Sequence, residues 1–172
     1  MGWVLRAVAF AAERHRNQRR KDVEGSPYVN HPIALANVLA NEGQVTDEIV
    51  LVAALLHDTV EDTDTSPTEI EERFGSEVRR VVEEVTDDKL LPKEIRKRHQ
   101  VEHASLISDR AKLVKLADKI CNLRDVEVSP PVNWSLERRR AYFDWAKEVV
   151  DQLRGIHAGL EDRFDDAYRR RP

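Results

Sequence analysis

Apolar residues recur every three or four positions along most of this chain, and runs that alternate between apolar and polar residues are nearly absent. This spacing predicts helices, because side chains three and four positions apart share one face of a helix. Typical start signals precede several of the apolar stretches: Asn30 with Pro32, Ser66 with Pro67, and Ser135. The sequence therefore predicts an all-α fold.

The expected helices cover residues 3–12, 30–42, 47–56, 67–74, 76–85, 93–107, 111–126, 135–154 and 157–169. Gly43 and Gly75 are expected to end two of them, because glycine tolerates the backbone angles that follow a helix. No repeat, low-complexity tract or long linker divides the 172 residues. We therefore expect one compact helical bundle over residues 1–172, with a disordered basic tail at residues 169–171.

Composition narrows the possible partners. The net charge of −4 shows no basic excess, so a nucleic-acid partner is not expected. No stretch approaches 18 uninterrupted apolar residues, so we expect no membrane span, and the first helix lacks the features of a signal peptide. Cys121 is the only cysteine, which excludes an intramolecular disulfide and a cysteine-based zinc site. These features favour a cytoplasmic protein; they do not indicate its oligomeric state.

Residues 57–62, HDTVED, place ionisable side chains directly after an apolar run. His57 and Asp58 are adjacent, so an ordinary helix could not turn both toward one core, and a shared partner would explain the pair. If the helix continues, Glu61 lies one turn beyond His57, and Asp62 lies one turn beyond Asp58.

A second polar pair, Asp118 and Asn122, interrupts the apolar face of the helix predicted over residues 111–126. Each polar residue has an ordinary explanation when taken alone: Asp118 could be solvated, and His31 could be a turn residue. Taken together they point to a metal, because buried charges are costly unless they are paired or coordinated. Two histidines and two carboxylates suit divalent manganese, iron or zinc.

Six stretches carry a family resemblance in order along the chain. They are HRNQRRKD (15–22), PYVNHP (27–32), AALLHDTVEDTDT (53–65), EVTDDK (84–89), AKLVKLADKICNLRD (111–125) and YFDWAKEV (142–149). The set resembles the HD superfamily of phosphohydrolases. Within it, the chain is similar to small alarmone hydrolases, the stand-alone relatives of the hydrolase domain in bifunctional RelA/SpoT enzymes, which include the metazoan SpoT homologues.

The resemblance implies hydrolysis of guanosine tetraphosphate or pentaphosphate (ppGpp or pppGpp) at the 3′ position, which releases pyrophosphate and GDP or GTP, usually with manganese. The metal ligands that it implies are His31, His57, Asp58 and Asp118. Around them, Glu61 and Asp62 would activate or orient the attacking water, and Asn122 would lie near the metal or substrate. The residues that it places at the nucleotide are Arg20, Lys21, Arg138 and Tyr142.

Other conspicuous residues receive simpler interpretations. The charged runs at residues 93–98 and 138–140 are expected to be mostly solvated helix faces, and residues 93–96 depart from the family order, which argues against a substrate role for Lys93. Trp134, Phe143 and Trp145 are expected in the core. The remaining histidines are expected to have no catalytic role: His15, His99, His103 and His157.

Two alternatives remain. The same metal site could serve a phosphatase for another nucleotide, such as NADPH or a deoxynucleotide. A non-enzymatic module could instead bind the alarmone as a regulator, although the complete ligand set and the Glu61–Asp62 pair argue against a degenerate site. A synthetase is not expected, because no residues remain for a second catalytic domain. The sequence fixes neither the native metal nor the preference between the two alarmones.

Overall fold

The computed structural model describes residues 2–172 and confirms the predicted all-α fold. Its helices are α1 (Gly2–Arg14), α2 (Asn30–Asn37), α3 (Glu48–Leu56), α4 (Thr59–Asp62), α5 (Pro67–Val85), α6 (Lys93–His103), α7 (Asp109–Val128), α8 (Leu136–Asp151) and α9 (Ala158–Tyr168). A π-helical turn, Val38–Glu42, extends α2. Over the same residues the pairing of extended backbone is limited to one isolated bridge between Arg19 and Pro27.

Helices α3 and α7 form the centre of the bundle. Helices α1, α2 and α5 pack against α3, while α2, α8 and α9 pack against α7. Buried apolar side chains such as Leu55, Leu116 and Ile120 fill the space between them, and each contributes roughly 1.5–3 kcal/mol of transfer free energy. Cys121 lies in this core, where burial raises the pKa of its thiol to about 12. The core therefore fixes α7, which carries Asp118 and Asn122, and the end of α3, which His57 and Asp58 directly follow.

Local signals explain most of the helix ends. Ser66 and Ser135 accept hydrogen bonds from the amides of Glu69 and Arg138, as N-cap residues do. Asn30 does not act as the predicted cap: it is the first residue of α2, and Val29 takes the cap position without a side-chain bond. The predicted break at Gly75 is present as a kink with φ of 83°, which only glycine adopts easily.

The basic residues that were predicted to form a disordered tail make contacts with the rest of the chain. The side chain of Arg171 forms a two-pronged ion pair with Asp144 of α8, with both distances 2.7 Å. The main-chain amide of Arg171 also donates to the carbonyl of Tyr168. Composition indicated a solvated tail, but the acidic group that fixes the tail lies on a distant helix.

None of the helices in residues 2–172 is both long and apolar enough to cross a lipid bilayer. The cytoplasmic location stays a prediction.

Candidate metal centre and active site

Two buried imidazoles face each other at the centre of the bundle. His31 lies in the first turn of α2 and His57 directly follows α3; the residues are 4% and 6% exposed. The Nδ1 atom of His57 lies 2.8 Å from the carbonyl oxygen of Ala54. A carbonyl only accepts, so Nδ1 carries a hydrogen and Nε2 is left to face the opposite residues. This arrangement is the one found when the second nitrogen binds a metal.

Asp118 extends from α7 toward both imidazoles. Its Oδ1 atom lies 3.2 Å from His31 Nε2 and 4.0 Å from His57 Nε2. One ligand atom from each of His31, His57 and Asp118 can be chosen so that all lie within 4.8 Å of one another. Asn122, one turn further along α7, donates a 2.6 Å hydrogen bond to Asp118 Oδ1. The structure thus joins three of the four predicted ligands in one cluster.

Asp58, the fourth predicted ligand, adjoins this cluster. Its Oδ2 atom lies 2.9 Å from His57 Nε2 and accepts a hydrogen bond from the hydroxyl of Tyr28. The predicted helix does not run straight through this region, because α3 ends at Leu56 and α4 begins at Thr59. The turn between them lets the adjacent side chains of His57 and Asp58 reach the same site, which a continuous helix would not allow.

The charges of the cluster favour a cation. Burial would raise the pKa of Asp118, but the neighbouring Lys119 ammonium and His31 hold it well below its usual range. Burial would likewise lower the pKa of His57, yet the carboxylates of Asp58 and Asp118 raise it to about 9. The two acids therefore stay ionised and attract positive charge to the space beside the imidazoles.

An unmet bonding capacity supports the same conclusion. His31 Nδ1 is buried and has no hydrogen-bond partner in residues 2–172, while the buried His57 Nε2 has only the Asp58 carboxylate beside it, at 2.9 Å. A buried polar atom without a partner is costly and calls for an explanation. Imidazole nitrogens and carboxylate oxygens together suit a borderline divalent ion. The residues present therefore fit a divalent metal.

Glu61 and Asp62 lie beside the cluster in different surroundings. Burial, reinforced by the nearby acids, raises the pKa of Glu61 to about 7, although its Oε2 atom accepts a 3.1 Å hydrogen bond from the amide of Asp87. Asp62 is held by the Lys89 ammonium and by a 3.3 Å hydrogen bond from Gln18. Glu61 can therefore take up a proton near neutral pH, while Asp62 is already paired.

These residues open into a cavity of about 600 Å³. Of the eleven predicted site residues, ten line it: Arg20, His31, His57, Asp58, Glu61, Asp62, Asp118, Asn122, Arg138 and Tyr142. Lys21 lines an adjoining cavity of about 570 Å³. Arg20 borders both cavities, is ion-paired with Asp125 and lies over the ring of Tyr28.

Several side chains have a different place from the one expected. Lys93, Arg96 and Lys97 of α6 line the larger cavity, so the view that this run is merely solvated holds only for residues such as Arg98. Trp134 and Trp145 line the cavity too, and only Phe143 of the three predicted core aromatics is fully buried. A tryptophan in sequence does not reveal whether its ring faces other helices or a cavity.

The histidines that were assigned no catalytic role include two with clear structural functions. His157 caps α9 through a 3.2 Å bond from the amide of Leu160 and also contacts the carbonyl of Gly43 at 2.9 Å. His15 is buried, with its Nδ1 atom 2.6 Å from Gln18 Oε1.

Three further side chains belong to the site but were not predicted. The only signal for Tyr28 was its place in the stretch that contains His31. Gln100 and Lys119 reach the site from α6 and α7, where no local pattern marked them.

Comparisons with known proteins identify the family. The sequence profile of the HD domain matches residues 7–142. The chain is 56% identical to the MESH1 guanosine-3′,5′-bis(diphosphate) 3′-pyrophosphohydrolase of Danio rerio, over 96% of this chain and 92% of that protein. The chain belongs to the HD-domain family, in its MESH1 group.

Other members give the same result. The MESH1 protein of Homo sapiens is 56% identical over 98% of this chain and 94% of its own length. A solved structure, described as a metazoan orthologue of SpoT that hydrolyses ppGpp, superimposes with a TM-score of 0.96 at 53% identity. That comparison covers 99% of this chain and 96% of the solved one. Because the likeness extends over the whole length, it includes every element that contributes to the site.

Proposed function

We propose that this member of the MESH1 group hydrolyses ppGpp and pppGpp at the 3′ position, releasing pyrophosphate and leaving GDP or GTP. The observation that carries the proposal is the position of the His31–His57–Asp118 cluster. It opens directly into a cavity that arginine and lysine side chains line, with Glu61 beside it. A polyphosphate ester needs both features, because its charge must be neutralised where water attacks. The names of the MESH1 relatives support the choice of substrate.

We assign the metal to His31, His57, Asp58 and Asp118, and we propose Mn²⁺ as the ion. When bound, a divalent ion neutralises phosphate charge and lowers the pKa of a coordinated water molecule toward neutrality. Asn122 and Lys119 each donate a hydrogen bond to Asp118, at 2.6 and 3.0 Å, and so fix the orientation of its carboxylate. The Ala54 carbonyl does the same for the ring of His57.

Glu61 is the proposed general base. Its raised pKa, about 7, matches a group that accepts a proton from water at neutral pH. In the reaction, the water oxygen joins the phosphorus next to the 3′ oxygen as the bond between that phosphorus and the 3′ oxygen breaks. The 3′ oxygen leaves on the nucleoside and takes up a proton. Asp62, held by Lys89 and Gln18, orients the water rather than removing its proton.

The cavity wall supplies the groups that would hold the nucleotide. Arg20 and Arg138 line the larger cavity, Lys21 lines the adjoining one, and the Arg138 guanidinium lies over the ring of Trp134 at 4.6 Å. An arginine can hold two phosphate oxygens at once, which suits a chain of phosphates. Tyr142 borders both cavities, and its burial raises the pKa of its phenol, so it stays a neutral hydrogen-bond donor.

The test is pyrophosphate release from ppGpp by the purified protein, treated with EDTA and then supplied with Mn²⁺. We expect EDTA to abolish the release and Mn²⁺ to restore it. A parallel reaction with NADPH measures inorganic phosphate. Turnover of NADPH alone would replace the proposal with a phosphatase function, and ppGpp binding without turnover in any divalent metal would replace it with a regulatory one.

A further inference from the structure

A continuous chain of hydrogen bonds joins the metal cluster to the proposed base by a route outside the metal site. Lys119 donates to Asp118 Oδ2 and to Gln100 Oε1, both at 3.0 Å. Gln100 in turn donates from Nε2 to Asp87 Oδ2 at 2.7 Å. The main-chain amide of Asp87 donates to Glu61 Oε2 at 3.1 Å. The chain therefore begins at a proposed ligand and ends at the proposed base.

Gln100 is the link for which few other residue types could substitute. Lys119 can only donate, and the Asp87 carboxylate can only accept. A residue between them must therefore accept on one side and donate on the other, which a glutamine amide does with its oxygen and its nitrogen. This requirement also fixes the orientation of the amide group.

The surroundings favour a strong link. The Lys119 side chain is only 4% exposed and lies over the ring of Trp145 at 4.4 Å, so its ammonium is held between an aromatic face and two acceptors. Hydrogen bonds to a charged group that is shielded from water are stronger than exposed ones. Gln100, by contrast, lies on α6, a helix with no fully buried residue between Lys93 and His103. The amide of Gln100 thus connects a peripheral helix to the rigid α7.

We propose that Gln100 is a positioning residue for the hydrolysis: it ties the segment around Asp87 to Lys119, and so holds the Asp87 amide against Glu61. Without this tie, the α5–α6 connection loses its hydrogen-bonded link to α7, and the Asp87 amide is held less firmly against Glu61, whose cationic neighbour, Arg96, lies 3.8 Å away. The metal ligands keep their own contacts. The loss should therefore reduce the rate of the chemical step more than metal or substrate binding.

The first test compares Gln100→Met, which keeps the length and removes both polar atoms, with Arg98→Met as the matched control. Arg98 lies on the same helix with a side chain that is 62% exposed and paired with Glu102. For Gln100→Met we expect kcat to fall about tenfold, the effect typical of losing a partner behind a ligand. KM for ppGpp and the affinity for Mn²⁺ should change less than about threefold, and Arg98→Met should match wild type.

The second test is a double-mutant cycle with Asp87. We expect Asp87→Ala to match Gln100→Met and the double variant to be no slower than either, because both changes break one chain. Asp87→Asn keeps an oxygen for Gln100 to donate to, so it should recover most of the rate lost in Asp87→Ala. Effects that multiply in the double variant would overturn the proposal, as would an unchanged kcat in Gln100→Met.

The kinetic readout rests on the proposed function, so a readout without substrate is needed. Hydrogen exchange of the peptide that contains residues 84–92, measured by mass spectrometry on metal-loaded protein, reports the protection of the segment that includes the Asp87 amide. In Gln100→Met this exchange should be about tenfold faster, equivalent to a partly lost hydrogen bond. Equal exchange in wild type and Gln100→Met would contradict the positioning role of Gln100. A wild-type protein that releases no pyrophosphate would contradict the proposed function, and the exchange test would still apply.

Discussion

The two halves of the active site are built in different ways. The proposed metal half, formed by His31, His57, Asp58 and Asp118, extends from α2, the end of α3, and α7, which are packed into the core; α7 alone buries Val114, Leu116, Ile120 and other residues. The proposed phosphate half is the cavity wall that carries Arg20 and Arg138. Helix α6 borders this wall, and none of its residues from Lys93 to His103 is fully buried. Helix α6 is held by the partly buried Val101, which packs against the core, and by polar contacts, among them a 3.1 Å hydrogen bond from Trp145 Nε1 to the carbonyl of Lys97.

The difference has a physical reason. Metal ligands must be positioned within about 0.5 Å, and only well-packed elements do this reliably. Phosphate groups are held by long, flexible cations that can adjust, so a helix at the periphery is sufficient for them. Elements with few buried contacts also open at lower free energy than the core does. We therefore expect changes in the two halves to separate catalysis from binding.

The largest effect should come from Asp118→Ala. It removes the carboxylate that faces both imidazoles, so we expect no measurable Mn²⁺ binding by isothermal titration. Activity should fall by at least about 1,000-fold, which corresponds to roughly 4 kcal/mol. Asp109→Ala, at the exposed start of the same helix, is the matched control and should bind the metal normally. Full Mn²⁺ affinity in Asp118→Ala would show that the cluster is not the metal site.

Glu61→Gln should leave Mn²⁺ binding intact and lower kcat by about 100- to 1,000-fold, because the amide cannot accept a proton from water. In wild type, the rate should decline as the pH falls below about 7, since the pKa of Glu61 is raised to that value and its protonated form is no base. The residual activity of Glu61→Gln should lack this acidic decline. A normal decline in the variant would assign the pH dependence to another group.

Arg138→Ala tests the phosphate half. We expect KM for ppGpp to rise about tenfold while kcat and Mn²⁺ affinity change little, because a charge-assisted hydrogen bond contributes roughly 1.5–3 kcal/mol. Arg139→Ala, the next residue on α8, serves as the control for loss of charge. A fall in kcat without a change in KM would contradict the division of the site into two halves.

Trp145→Phe should have the smallest effect. It keeps an aromatic ring in the cavity wall but removes the hydrogen bond to the Lys97 carbonyl. We expect about 1 kcal/mol less stability in urea unfolding and faster hydrogen exchange in α6. Metal affinity should not change. Faster exchange in α3 or α7 instead of α6 would mean that α6 is not held independently of the core.

Much of this structure follows from local sequence signals. Ser66, Gly75 and Ser135 mark helix boundaries because a cap or a positive φ depends on one residue and its neighbours. The polar pairs His57–Asp58 and Asp118–Asn122 indicated a metal site because polar groups interrupt otherwise apolar stretches. These features require no knowledge of which helices are in contact.

The remaining features depend on contacts between distant elements. Gln100 lies on α6 and Asp87 lies in the connection that precedes α6, and no local pattern around either residue predicts the hydrogen bond between them. Trp145 was expected in the core because its side chain is a large aromatic ring. The ring instead lies against the Lys119 ammonium of α7, a contact between two helices that the sequence does not reveal. The C-terminal residues likewise found an acidic partner on α8.

The buried thiol of Cys121 gives this protein a built-in reporter. Thiolates, not thiols, react with alkylating reagents and peroxide, and this group stays protonated at physiological pH and shielded from solvent. Its labelling by a maleimide would therefore be slow and limited by opening of the bundle, close to Asp118 on α7. The rate of modification, measured with and without Mn²⁺, would therefore report how often the packing around α7 opens.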